Sequence, residues 1–314
     1  MVERCRERLG WALPFAVVLP MLALANAIGV HAIIFPEGAA LVMGVSVLRL
    51  PGWAASRLHV ATLPPLCALA GTLLVRAHQP AWAAAILGAA VALLVLHSAD
   101  SRLAPSVSAA VLPIVFGVDD WSYPVAVLVI CLVIAGAMPW TTRLRPASAP
   151  PPLPADRPGR YPWAVAAAGL GAITAWILLG GELLALPVAA LAPPLFVSAL
   201  EWLAQGACTL RRGLRRWLLL VCAGFAGAVA EQLVAVDWIA GGLALAAALG
   251  LMWLLATPHP PALAIALIPQ ILGDADPLAY AAAIGAGAGA LYLAMLALDR
   301  LAPLTSAAAT AAGP

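Results

Sequence analysis

The amino-acid sequence predicts an all-α polytopic membrane protein with about twelve transmembrane or partly spanning helices in two parallel six-segment repeats. Three observations support this fold class. The chain is 64% hydrophobic and only 10% charged, whereas about a quarter of the residues in soluble domains are charged. Its apolar residues form blocks of roughly 14 to 25, the length range of segments that cross a bilayer. Finally, prolines and glycines recur at matching places in the two halves.

Six apolar segments precede a proline-rich stretch, and six follow it. The first set is Gly10–Ile34, Pro36–Leu50, Val60–Val75, Ala81–His97, Ala104–Gly117 and Tyr123–Trp140. The second set is Pro162–Leu179, Leu184–Leu200, Trp217–Val234, Trp238–Ala256, Pro260–Gly273 and Leu278–Leu298. We therefore divide the chain into a first membrane repeat (1–145), a cytoplasmic linker (146–160) and a second membrane repeat (161–314).

The second and fifth segments of each set are short, so they either cross the bilayer or turn back within it. The arginines favour crossing. If the N-terminus is cytoplasmic and every segment crosses, only Arg76 of the 16 cationic residues lies outside, as the positive-inside rule requires. We predict a multi-pass protein of the plasma membrane with both termini cytoplasmic. The sequence "RRGLRR" (211–216) would then be a topology anchor that touches anionic lipid.

The duplication is visible in the fifth segment of each half. A shift of 156 residues aligns Pro105 with Pro261, Ala110 with Ala266, Pro113 with Pro269, and Gly117 with Gly273. Because each half crosses the membrane an even number of times, both halves have the same orientation. A pseudo-twofold axis along the membrane normal should relate them, as in transporters with parallel repeats.

The stretch "ATPHPPALAIALIPQILG" (256–273) contains the strongest candidate site. Pro260 and Pro261 suit the first turn of a helix, which Thr257 could cap. Pro269 should free the carbonyl near residue 265 and bend the helix. Free N–H groups at a helix start attract anions. His259 could add charge or a hydrogen-bond donor there, although it also fits as an interfacial residue ending a loop.

Other polar residues of the short segments leave alternatives open. Gln270 either lines a path or bonds the carbonyl released by Pro269. Glu37 begins the second segment and either serves the site or complements the helix dipole. Pro105 occupies the place of Pro261 in the first half. The predicted substrate-binding residues are therefore His259, Pro260, Pro261, Gln270, Pro105 and Glu37.

"TPHPPALAIALIPQILG", with the preceding "IAGGLALAAALGLMWLLA", resembles the HPP family of integral membrane proteins, named for its His-Pro-Pro motif. The motif corresponds to His259, Pro260 and Pro261. The first half resembles a degenerate HPP unit in which Leu103, Ala104 and Pro105 replace the triplet. Some members of the family are implicated in nitrite transport. The resemblance implies a carrier or channel for a small anion.

Taken together, we expect a permease or channel for a small solute, best a small monovalent anion such as nitrite. The alternative is a non-transporting membrane scaffold or accessory subunit. Sequence motifs of hydrolases, metal sites and nucleotide sites are lacking, so we expect neither an enzyme nor a cofactor. The expected partners are membrane lipids and the substrate, not nucleic acid, and association into a homo-oligomer stays open.

Overall fold

The computed structural model describes residues 2–50, 53, 56–141, 143, 192–205, 209–273 and 275–311. All regular elements in this part of the chain are helical. Eight helical stretches are long and apolar enough to cross a membrane, and one of them, His31–Leu48, is made of several short elements in succession. The prediction of an all-α, multi-pass membrane protein is therefore confirmed at this level. The linker (146–160) and the predicted segment Pro162–Leu179 lie outside the described residues.

The helices of the first half are α1 (Val2–Ile28), a short 3-10 turn (His31–Ile33), α2 (Glu37–Val42, continued as a π-helix over Met43–Leu48), α3 (Arg57–Arg76), α4 (Ala81–Ser98), α5 (Pro105–Val115) and α6 (Ser122–Thr141). Those described in the second half are α7 (Pro193–Gln205), α8 (Leu210–Leu233), α9 (Asp237–Leu254), α10 (Pro261–Leu267), α11 (Pro269–Leu272) and α12 (Pro277–Ala311).

Four short helical units form the buried centre of the molecule. They are α2 with its π-helical continuation, α5, α7, and α10 with α11. Their residues are buried almost without interruption over 33–48, 103–114, 192–202 and 259–270. In the contacts between the halves, α2 packs against α10 and α5 packs against α7. The segments predicted to be short thus form part of the contact between the halves, together with the long helices α1 and α9, which also pack against each other.

The long helices surround this centre and expose apolar side chains on their outer faces. The exposed residues include Leu66, Leu73, Leu94, Val129, Leu132, Val133, Leu243 and Leu293. Such a continuous apolar surface suits hydrocarbon rather than water. Lipid contact follows from this arrangement.

The same local structures recur 156 residues apart. Helix α4 (Ala81–Ser98) and helix α9 (Asp237–Leu254) have the same length and begin at equivalent positions. Asp100 and Ala256, which follow these helices, both have positive φ angles, of 51° and 46°. Gly117 and Gly273, which follow the short helices, also have positive φ, of 65° and 70°. Equivalent turns therefore connect equivalent helices.

Each proline inside a short helix has a tyrosine that compensates for its missing N–H group. Pro113 and Pro269 remove the hydrogen bonds to the carbonyls four residues earlier. The hydroxyl of Tyr123 donates to the Ala109 carbonyl at 3.0 Å. The hydroxyl of Tyr280 donates to the Ile265 carbonyl at 2.8 Å. Both freed carbonyls are thus satisfied from a neighbouring helix, as a buried membrane segment requires.

Two glycines let the long helices approach these short helices closely. A Cβ atom on Gly71 of α3 would lie 2.0 Å from the Ala110 carbonyl oxygen. A Cβ atom on Gly227 of α8 would lie 2.1 Å from the Ala266 carbonyl oxygen. Because the obstacle is backbone, no side-chain rotation relieves it. Small residues at such positions permit the backbone-to-backbone packing seen between membrane helices.

The structure corrects the starts of two segments. The first segment of the chain was predicted to start at Gly10, but α1 starts at Val2. The third segment of the second half was predicted to start at Trp217, but α8 starts at Leu210. The "RRGLRR" group (211–216) is therefore helical, and its last residue, Arg216, is buried instead of touching lipid. Gly213 accommodates the ring of Trp202, since a Cβ atom there would lie 2.5 Å from Trp202 Cη2. The apolar pattern did not predict the start of α8, because the arginines of this stretch are polar.

We predict that Gly227→Ala destabilises the protein by about 1–3 kcal/mol, the usual range for overpacking a core. The measurement is thermal unfolding in detergent. Gly250→Ala is the matched control, because no atom lies within 4 Å of its added Cβ position. Equal melting temperatures for the two variants would contradict the close approach of α8 and α10.

We also predict that Tyr280→Phe lowers stability by about 1–3 kcal/mol, since it leaves the Ile265 carbonyl buried without a donor. The loss should shrink in a Pro269→Ala background, where the restored N–H group can bond the same carbonyl. A double-mutant cycle on the melting curves measures this coupling. Additive effects would show that the hydroxyl does not compensate for the proline.

Candidate functional site

His259 lies in the turn between α9 and α10, and its side chain is 1% exposed. Pro260 forms the N-cap of α10 and Pro261 is its first residue, as predicted. The predicted capping role of Thr257 is wrong. Its hydroxyl donates to the Leu255 carbonyl at 2.9 Å instead, and no side chain caps α10. The His-Pro-Pro corner thus turns the histidine into the protein.

The imidazole of His259 belongs to a chain of buried hydrogen-bonding groups. Its Nε2 lies 2.7 Å from the Ser198 hydroxyl. The same hydroxyl lies 2.6 Å from the hydroxyl of Tyr292. On the other side of the ring, Nδ1 lies 3.5 Å from Glu201 Oε2. We call Ser198, Glu201, Arg216, His259 and Tyr292 the His259 cluster. It joins α7, α8 and α12 to the start of α10.

Arg216 supplies the buried positive charge of the His259 cluster. It lies close enough to act electrostatically on both Glu201 and His259. Burial, and then the charge of Arg216, hold the pKa of His259 well below its ordinary value. Of the two contributions predicted for His259, a charge is therefore disfavoured beside Arg216, and a neutral hydrogen-bonding ring fits the structure.

The order Ser198, His259, Glu201 also resembles that of hydrolase triads, in which a base activates a serine. Here the serine hydroxyl is held between His259 and Tyr292, and it is 1% exposed. The oxygen that would attack a substrate is already engaged on both sides. This geometry suits a fixed hydrogen-bond chain better than a nucleophile.

Gln270 lies in α11, near the contact between α11 and the 3-10 turn of the first half. Its side chain is 2% exposed. The structure excludes one of its two predicted roles, because Tyr280 and not Gln270 bonds the Ile265 carbonyl released by Pro269. Both polar atoms of the Gln270 amide lack a hydrogen-bond partner among the described residues. An amide in this state is available to a ligand.

Glu37 is the first residue of α2, and its side chain is 1% exposed. The Ser108 hydroxyl of α5 donates to its Oε1 atom, while Oε2 has no partner in the described part of the chain. Glu37 thus bridges the second and fifth segments of the first half. The alternative prediction was that Glu37 only complements the dipole of its helix. The hydrogen bond from Ser108 shows that it also connects two helices.

The predicted site residues therefore fall into separate places. His259, Pro260 and Pro261 belong to one corner, Gln270 lies beyond the bend of the same segment, and Glu37 lies on α2 of the other half. Pro105 begins α5, as Pro261 begins α10. Because α10 has only seven residues, its peptide dipoles alone give little field for an anion. The polar side chains are the stronger candidates.

Sequence reasoning missed most of the His259 cluster. Ser198, Glu201 and Tyr292 are far from His259 in the chain, and each looks like an isolated polar residue in an apolar helix. One signal was available. Intramembrane ionisable residues seldom occur without a partner, so Glu201 and Arg216 should have been considered together with His259.

Residues 217–305 match the family model described as HPP, transmembrane region. This segment is an HPP transmembrane region. It includes most of α8 and all of α9, α10 and α11, with the His-Pro-Pro corner at their junction. No curated protein and no solved structure matches the chain.

The HPP match places the motif of the family inside the buried centre. The resemblance stated for the second half is therefore confirmed for residues 217–305. The resemblance of the first half lies outside the matched residues and stays a prediction.

We predict that Arg216→Gln destabilises the protein strongly, because it leaves Glu201 buried without its cation. Adding Glu201→Gln should recover part of the lost melting temperature. Arg212→Gln is the matched control, since Arg212 is exposed on the same helix. The interpretation fails if Arg216→Gln and Arg212→Gln melt at the same temperature.

Proposed function

We propose that this protein is a permease for a small monovalent anion, with nitrite the best candidate. In this proposal, two parallel six-segment repeats cross the plasma membrane with both termini in the cytoplasm. The substrate binds where the short helices of the two halves meet. The protein binds it through side chains and not through a cofactor or a covalent step.

The observation that carries the proposal is the unpartnered amide of Gln270. A buried polar group without a partner destabilises a protein by about 1–3 kcal/mol, so such groups are rare in packed interiors. Here the amide is buried where α11 meets the first half. An anion would accept hydrogen bonds from the N–H groups of this amide.

The chemistry of the centre favours a small anion with one charge. The Gln270 amide offers two neutral N–H donors, and the buried cation of the described centre, Arg216, already lies close to Glu201. Neutral donors suit an anion with one negative charge better than an anion with two. The resemblance to HPP members implicated in nitrite transport supports the same substrate class.

The competing function is a scaffold or accessory subunit. In that case the polar side chains would serve only to tie the helices together. The His259 cluster fits such a role well, because its groups bond one another. Gln270 does not fit it, because its amide makes no described bond to any helix.

The purified protein in liposomes should conduct nitrite faster than protein-free liposomes do. We expect Gln270→Ile, which introduces the residue found at the equivalent position Ile114, to reduce initial nitrite flux at least tenfold. Replacing the amide by the sec-butyl side chain of isoleucine keeps the core filled, so the melting temperature should stay within a few degrees. Gln79→Ala is the control, since Gln79 is exposed.

Flux of no small anion by the wild-type protein would favour the scaffold. Unchanged nitrite flux in Gln270→Ile would remove Gln270 from the site. The His259→Ala variant tests the His259 cluster separately from the Gln270 amide. We expect it to reduce flux together with stability, because it breaks the hydrogen bonds of the His259 cluster, and unchanged flux would remove His259 from the functional machinery.

A further inference from the structure

Glu37 differs from the other buried carboxyl group of the centre in its surroundings. Glu201 has Arg216 and His259 beside it. Glu37 has the Ser108 hydroxyl and its own backbone N–H as described donors, and an Oε2 atom without a described partner. An ionised carboxylate buried without a cation beside it is unfavourable in a protein interior.

The elements packed against α2 offer Glu37 no positive charge within the described residues. Helix α6 contributes the neutral phenol of Tyr123, which lies near Glu37, and the thiol of Cys131. Helix α5 contributes serines, α10 contributes apolar residues, and the described side chains of α1 include no charged group. His31 of the preceding turn is exposed rather than buried. Because no described cation neutralises the Glu37 carboxylate, binding a proton is the way in which it can become neutral.

Glu37 lies on α2, which packs against α10 of the segment that also holds Gln270, so an anion bound at Gln270 adds a second negative charge to the same buried centre. Two like charges repel strongly there, because the interior screens them poorly. Binding of the anion and ionisation of Glu37 then oppose each other. By linkage, anion binding favours the protonated carboxyl group, and protonation favours anion binding.

We propose that Glu37 carries the proton that accompanies the anion, which makes the protein an electroneutral proton–anion symporter. This inference rests on the proposed function. The carboxylate takes up one proton on the side where the anion enters. It releases that proton to water on the other side after the anion leaves. One positive and one negative charge cross together, so no net charge moves.

The test uses the full-length protein in liposomes with an entrapped pH-sensitive dye and a nitrite gradient at neutral pH. We expect nitrite entry to acidify the interior by one proton per nitrite. The initial rate should not change when potassium and valinomycin set the membrane potential. Protein-free liposomes give the background from nitrous acid that crosses the lipid unaided.

Glu37→Gln keeps the shape of the protonated side chain but cannot release a proton. We expect it to lose at least nine-tenths of net nitrite entry while it retains exchange of ¹⁵N-labelled for unlabelled nitrite, which requires no net proton movement. Glu37→Asp should recover part of the net entry and the acidification. Asp120→Asn is the control, because Asp120 is an exposed acid in the loop before α6.

The outcomes separate this inference from the proposed function. Nitrite entry by the wild-type protein that follows the membrane potential without acidification would refute the symport and leave the permease intact. Acidification by Glu37→Gln at the wild-type rate would refute the role of Glu37, and so would loss of exchange in a variant that melts like the wild type. If Glu37→Gln does not fold, the proton stoichiometry and voltage response of the wild type decide the question. Absence of any anion flux would refute both proposals.

Discussion

The fold depends on satisfying the carbonyl groups that prolines release inside the short helices. In a bilayer no water is present to bond a free carbonyl, so the protein must supply a donor. The hydroxyls of Tyr123 and Tyr280 do this for the Ala109 and Ile265 carbonyls. Because the donors come from α6 and α12, these long helices must pack against the bent short ones. The short helices are thereby held in the centre, where the halves meet.

This arrangement explains why the polar side chains are concentrated there. The long helices face lipid and expose apolar residues, so polar groups on their outer faces would be unfavourable. The buried centre can hold them, provided that they bond one another or a ligand. Within the His259 cluster, Ser198, His259 and Tyr292 bond one another, although Glu201 Oε1 has no described partner. The Gln270 amide has no described bond at all, and this difference separates a largely bonded polar cluster from the proposed binding site.

Much of this architecture could be predicted from the sequence. The positions of Pro105, Pro113, Pro261 and Pro269 predicted two short, bent segments at matching places, since proline acts locally on the backbone. The site was less predictable. Contacts such as that of Ser198 with His259 join residues far apart in the chain, and periodicity carries no information on which helices meet. The start of α8 was not predicted because its arginines interrupt the apolar pattern. The choice between the two predicted roles of Gln270 required the structure, which shows that Tyr280 bonds the Ile265 carbonyl.

Solid-state NMR of the protein in lipid bilayers tests the central claim most directly, namely that the Gln270 amide, which has no partner among the described residues, binds the anion. Titration with nitrite should shift the side-chain amide signal of Gln270, which its absence in Gln270→Ile identifies. The signals of Gln79, Gln205 and Gln232 should not move. A Gln270 signal that is insensitive to nitrite would contradict the account, as would evidence that this amide is already bonded to the protein.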